Sequence, residues 1–152
     1  MIVQYNRAQV NDAYGPYPAK VSNDRITDEQ APVNILEPVH PVFTTPNRIT
    51  DAAWAGWVQE RGLNFLGEKD PRYRDLVQLA DPFPNNPGNK RGALVEARYG
   101  KGRWIYIALG LWRELPAGVD GAFPILANLI SLGARSPAAA APARTTTTAP
   151  AQ

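Results

Sequence analysis

The 152-residue chain has no cysteine and a single histidine, His40. The first absence excludes disulfide bridges, thiolate metal sites and a cysteine nucleophile. It leaves the compartment open, because a domain of this size can be stable without bridges. The second leaves a metal centre or a catalytic triad short of parts. Such sites gather several His, Cys or carboxylate groups, and no Gly-x-Ser-x-Gly elbow accompanies His40. One histidine beside Pro41 is expected to be structural. Excess charge of one sign is missing too. Sixteen basic against fourteen acidic residues leave a formal charge of +2, too little to indicate nucleic acid or an anionic membrane as partner. No apolar run approaches the roughly 20 residues of a membrane span, and Ile2-Val3 before polar Gln4 and Asn6 is no signal-peptide core. A soluble chain is expected.

What is present is enough for one packed core: 44% of residues are hydrophobic, and the length suits a single domain. Fifteen prolines and twelve glycines predict short elements joined by turns and extended loops. Residues 2–5 read as a strand and 6–32 as a long loop or a pair of edge segments, with Gly15-Pro16-Tyr17-Pro18 forbidding a continuous helix or central strand. Val33–Leu36 reads as a strand, and Pro46-Asn47 as a turn. Thr50 as cap, Asp51 in a first turn and Trp54, Trp57, Val58 and Arg61 at helical spacing predict a helix over 51–61, stopped by Gly62. The 70–80 segment fits a helix opening at Pro71 or a strand through Leu76–Ala80, and the strand is favoured.

The most ordered pattern spans Gly92 to Leu132. Ala93, Val95 and Ala97 alternate into Tyr99-Gly100-Lys101-Gly102, and Arg103–Leu109 returns, predicting a hairpin of 92–98 with 103–109 whose Gly100 and Gly102 take positive φ. Asp120 then caps a helix through Phe123, Leu126, Ile130 and Leu132, with Pro124 tolerated in its first turn. The Ala/Pro/Thr-rich residues 135–152 lack apolar bulk and are expected to be a disordered tail behind a folded domain of 1–134.

The Gly-Lys-Gly-Arg turn lacks the spacing of a phosphate loop and precedes a strand, so a hairpin is its expected use. Lys101–Tyr106 also has the look of an RNA-recognition strand. Trp104, however, stands where that motif wants a small residue, and a second aromatic strand is missing. Of the four tryptophans, three are expected in the core. Trp112 and Arg113 follow a strand end, where α/β sheets place ligand contacts, and with Arg48 they form the candidate ligand-binding set.

Tyr99–Tyr106 with Leu109-Gly110, Phe123 and Leu126–Ile130 resembles the C-terminal end of class I glutamine amidotransferase-like domains, including the ThuA-like branch. Gly15–Pro18, His40–Phe43, Pro46–Thr50 and Gly56–Leu63 resemble the C-terminal region of bacterial PIG-L/LmbE-type deacetylases that carry such a domain behind the catalytic one. The resemblance covers nearly all of residues 2–133. It implies an α/β fold with part of a flavodoxin-like sheet, a C-terminal antiparallel hairpin and flanking helices. It also implies a bacterial source, a zinc-dependent N-acetyl-sugar deacetylase as parent, and a catalytic deacetylase domain, in the same or a neighbouring chain, as partner. The zinc motif of those enzymes, His-Pro-Asp-Asp, is here His40-Pro41-Val42-Phe43, and the amidotransferase Cys-His-Glu set has no Cys. No catalytic or metal-binding residue is therefore transferred; zinc belongs to the parent, and this chain is expected to be a non-catalytic accessory part. A stand-alone carbohydrate-binding or protein-interaction module is the alternative. A diverged hydrolase pairing an Asp or Glu with His40 ranks last.

Overall fold

The computed structural model describes residues 1–4 and 15–133. The expected tail over 135–152, the domain end at 134 and the loop residues 6–14 lie outside them. The strands are β1 (Ile2–Gln4), β2 (Ala19–Val21), β3 (Arg25–Ile26), β4 (Val33–Ile35), β5 (Gly62–Leu63), β6 (Leu66–Lys69), β7 (Tyr73–Asp75), β8 (Val77–Leu79), β9 (Lys90–Arg91), β10 (Leu94–Tyr99) and β11 (Gly102–Ile107). The helices are α1 (Pro41–Thr44), α2 (Leu111–Glu114) and α3 (Ala122–Ser131), with a 3-10 turn at Asp51–Trp54. The protein is mixed α/β, built mostly from small antiparallel sheets. Among the described residues the main sheet runs β1-β11-β10-β7, with β1 parallel to β11 and the other pairs antiparallel. The remaining strands pair as β2-β6, β3-β5 and β4-β8-β9.

The predicted hairpin is present, with Val95 opposite Tyr106, Ala97 opposite Trp104 and Tyr99 opposite Gly102. Only Gly100 takes the positive φ expected of both turn glycines, at +55°. One left-handed residue suffices to reverse the chain. The 70–80 segment is extended, as favoured, but divides at Leu76 into β7 and β8, which belong to different sheets. Alternation along β11 turns Trp104 and Tyr106 to one face and Arg103, Ile105 and Ile107 to the other. On the second side Arg103 and Ile105 share a cleft with Leu129, Ile130 and Leu132 at the end of α3.

The helix expected over 51–61 does not form; one 3-10 turn takes its place. Thr50 makes no side-chain cap, and Gly56 and Gln59 have φ of +69° and +68°. The reason lies in where the carbonyls go. The Ala53 oxygen, which a helix would give to the Trp57 backbone, accepts instead from the Trp57 indole N–H at 3.0 Å. The Trp54 oxygen accepts from the buried Arg61 guanidinium at 2.6 Å, and the Val58 N–H donates to Glu114 Oε2 at 3.0 Å. Side chains from along the chain thus replace the i→i−4 ladder, and Gly56 removes the propensity that would defend it.

Helix α3 forms where expected, but its cap position is Gly121 rather than Asp120, and no side chain caps it. Gly121 is required by contact: a Cβ there would lie 1.9 Å from the Ala53 oxygen. At the far side of α3, buried Asn128 accepts from the Asn47 N–H at 2.8 Å and donates to the Val42 and Asn47 carbonyls at 2.9 and 2.7 Å. This bolts the Pro46-Asn47 turn, whose Thr45–Pro46 peptide is cis, onto the helix. The core gathers Ile26, Phe65, Leu66, Leu76, Leu94, Ile105, Tyr106, Leu109 and Ile125. Trp54, Trp57 and Trp104 are buried as expected, and Trp112 is the exposed one. Among the described residues no helix is long and apolar enough to cross a membrane.

Candidate functional site

Two groups of buried charges flank the C-terminal hairpin, and they differ in how fully they are satisfied. The first centres on Glu96, in the middle of β10 with no exposed surface. Register places it opposite Arg74 of β7 and Ile105 of β11. Arg74 Nη2 donates to Oε2 at 2.5 Å, and Arg103 Nη1 donates to Oε1. His40, the cap of α1, completes the set: its Nδ1 accepts from the Val42 N–H at 3.2 Å, and its Nε2 lies 3.3 Å from Glu96 Oε2. Because Nδ1 accepts a backbone proton, the assigned tautomer carries its proton on Nε2 and directs it at the carboxylate. Burial alone would push the Glu96 carboxyl up, but the hydrogen bonds from His40, Arg74 and Arg103 outweigh it and hold it far below the usual carboxylate range.

The structure thus brings His40 together with a carboxylate, the pairing a diverged hydrolase would need, and uses it for something else. Both ring nitrogens are engaged inside the protein, and Glu96 is too strongly ionised to serve as a base near neutral pH. The cluster clamps α1 to three strands of the main sheet. Nor do these residues fit a zinc site. Among the described residues no three His, Cys, Asp or Glu side chains converge as a metal would require, and His40 has no nitrogen left to offer.

The second group lies where β11 passes into α2. Trp112 and Arg113 are brought together there, with the Arg113 guanidinium 4.2 Å from the Trp112 ring centroid. Trp112 is 42% exposed. Arg113 Nη2 is also 3.1 Å from Glu60 Oε1, a contact without hydrogen-bond alignment, so its charge is already partly compensated. Arg48, the third predicted residue, is exposed on the turn that Asn128 holds, ahead of the 3-10 element.

Sequence reasoning missed Glu114, the next residue but one after Trp112. It is fully buried, accepts from the Val58 N–H through Oε2, and leaves Oε1 without a hydrogen-bond partner among the described residues. Burial pushes its carboxyl up, against the backbone bond and the charges of Arg61 and Arg113, while Glu60 adds to the rise. The available signal was a lone acid inside the apolar Leu111–Leu115 run. A folded-state value above the unfolded one means the unfolded chain gives up its proton first, so this group weakens folding as the pH climbs between the two values. Glu114→Gln keeps an acceptor for Val58 and removes the ionisation. It is expected to match the parent chain near pH 4 and to melt at an equal or higher temperature at pH 8, as thermal unfolding followed by circular dichroism will show.

No protein-family model, curated protein or solved structure matches this chain.

Proposed function

We propose that this chain is a non-catalytic, amidotransferase-like accessory domain of a PIG-L/LmbE-type zinc-dependent N-acetyl-sugar deacetylase. The observation that carries the reading is the state of His40. The one side chain best suited to general base or metal chemistry has its Nδ1 on a backbone N–H and its Nε2 on a fully buried carboxylate. Chemistry on an acetamido sugar then belongs to another domain, which would be the partner of this one and would carry the zinc. The parallel β1–β11 pair, followed by an antiparallel hairpin and α3, supports a flavodoxin-like sheet of which these strands form part. Packing against the catalytic domain or contact with its ligand is the contribution left to this chain, and Arg48, Trp112 and Arg113 are the residues proposed for that contact.

An assay of the purified chain on N-acetylglucosamine-type substrates with zinc supplied tests the proposal. No acetate release above the protein-free control is expected. Clear turnover that persists after chelation and zinc reloading would overturn it.

A further inference from the structure

The Arg61 side chain is 3% exposed and is held by the backbone on two sides. Its Nε donates to the Ala31 carbonyl at 2.9 Å and its Nη1 to the Trp54 carbonyl at 2.6 Å, while the Trp57 ring centroid lies 5.3 Å from Cζ. These contacts fix the plane of the fork. They leave Nη2 without an acceptor among the described residues, and Nη2 is not one of the polar atoms sealed off from solvent. Among the described residues no carboxylate forms an ion pair with Arg61; Asp28, Glu114 and Glu29 support its charge through space. A neutral donor could brace two carbonyls without the cost of burying a guanidinium. The bracing therefore accounts for Nε and Nη1, and leaves the charge and Nη2 without a use.

Arg61 lines a cleft of about 360 Å³ together with Pro32, Val33, Asp51 and Ala55. Every lining residue is well inside the described stretch 15–133. The volume is at the small end for ligand sites. Pro32 and Ala55 are exposed and Val33 is half-buried, so the walls offer apolar surface. Asp51 is exposed, and its carboxylate has neither a hydrogen bond nor an ion pair among the described residues. One cleft thus presents a cationic donor and a carboxylate, each without a partner. A net anion would gain Arg61 but be repelled by Asp51, Asp28 and Glu29, and a net cation would leave Nη2 unpaired. A ligand that carries both charges satisfies both groups.

We propose that this cleft binds a small zwitterion, a free α-amino acid with an apolar side chain, its carboxylate on Arg61 Nη2, its ammonium on Asp51 and its side chain against Pro32, Val33 and Ala55. The guanidinium is already fixed by Ala31 and Trp54, so little side-chain freedom is lost when the carboxylate arrives. The chemistry of the cleft does not depend on which larger protein the domain serves, and its residues are distinct from Arg48, Trp112 and Arg113.

Calorimetric titrations of the full chain with L-leucine, L-valine and L-phenylalanine test this, each beside the matching acid that lacks the amino group and the matching amine that lacks the carboxyl group. Saturable binding of at least one amino acid is expected, with its acid and its amine at least tenfold weaker. Asp51→Asn keeps the size of an exposed side chain and removes its charge. It is expected to weaken amino-acid binding at least tenfold with an unchanged circular dichroism spectrum, and to leave the affinity for the amino-free acid as it was. No saturable binding of any of the three, an acid or amine that binds as tightly as its parent amino acid, or full affinity in Asp51→Asn would each overturn the proposal. The comparison of ligands uses the parent chain alone, so it decides the matter even if Asp51→Asn fails to fold.

Discussion

Replacing Glu96 by glutamine is expected to lower the stability of the domain by about 3 kcal/mol at pH 7, the low end of what breaking a buried ion pair costs. The low end applies because Arg74 is half in water, although Glu96 itself is not exposed at all. Glutamine can still accept from one arginine, but the second guanidinium and the His40 N–H then face a neutral group, and the amide's own protons have no acceptor among these partners. For a domain of this size the change corresponds to a fall of roughly 10 °C in melting temperature. The pH dependence separates this from a simple packing defect. The folded-state carboxyl is held well below its unfolded value, so the stabilisation is fully present above about pH 4.5 and is lost as the pH falls through the folded-state value. The gap in melting temperature between the two proteins should therefore narrow steadily as the pH is lowered from 4.5 towards 3. Parallel curves would show that the charge is not what matters.

Gly92→Ala should have the second large effect, again about 3 kcal/mol or more, read as a shift in the urea unfolding midpoint. Two penalties act at one position. Gly92 has a φ of +97°, which an L side chain tolerates poorly, and a Cβ there would sit 2.2 Å from the Leu66 oxygen. The neighbouring strand cannot retreat without cost, because the Leu66 N–H donates to the Gly92 carbonyl at 3.0 Å. Relief of the overlap would draw out the hydrogen bond that joins β6 to the start of β10. Gly100→Ala isolates the first penalty. Its φ is also positive, at +55°, but nothing lies within 4 Å of the added carbon, so a loss of about 1 kcal/mol is expected. Similar losses in both variants would mean that the contact with β6 is soft.

The parts of this fold legible from sequence are those whose causes are local. The β10–β11 hairpin announces itself because alternation and turn glycine are neighbours in the chain, and α3 because its apolar spacing and its flanking glycines fall within a dozen residues. The helix expected over 51–61 shows the opposite case. Its spacing of Trp54, Trp57 and Arg61 is helical, yet the groups that take its backbone bonds include Glu114, more than fifty residues away. Glu96 was hidden by the same alternation that revealed its strand. Ala93, Val95 and Ala97 mark one face as buried, so the face holding Glu96 reads as solvated, and only the arrival of α1 with His40 and of Arg74 makes it an interior. Of the candidate site, the pairing of Trp112 with Arg113 was visible, and the buried carboxyl beside them was not. Gly102 was expected to share the positive φ of Gly100 and does not, because a glycine's φ cannot be told from its letter.

Leu76 carries a mechanical consequence. Its N–H donates to Leu94 in the main sheet at 2.9 Å, and its carbonyl accepts from Leu36, at the end of β4, also at 2.9 Å. A single residue is thus stitched into two sheets, with no slack between β7 and β8 to let one swing against the other. Opening either sheet must pull on the other through this residue, so the two halves should exchange their amide protons as one cooperative block rather than in separate stages.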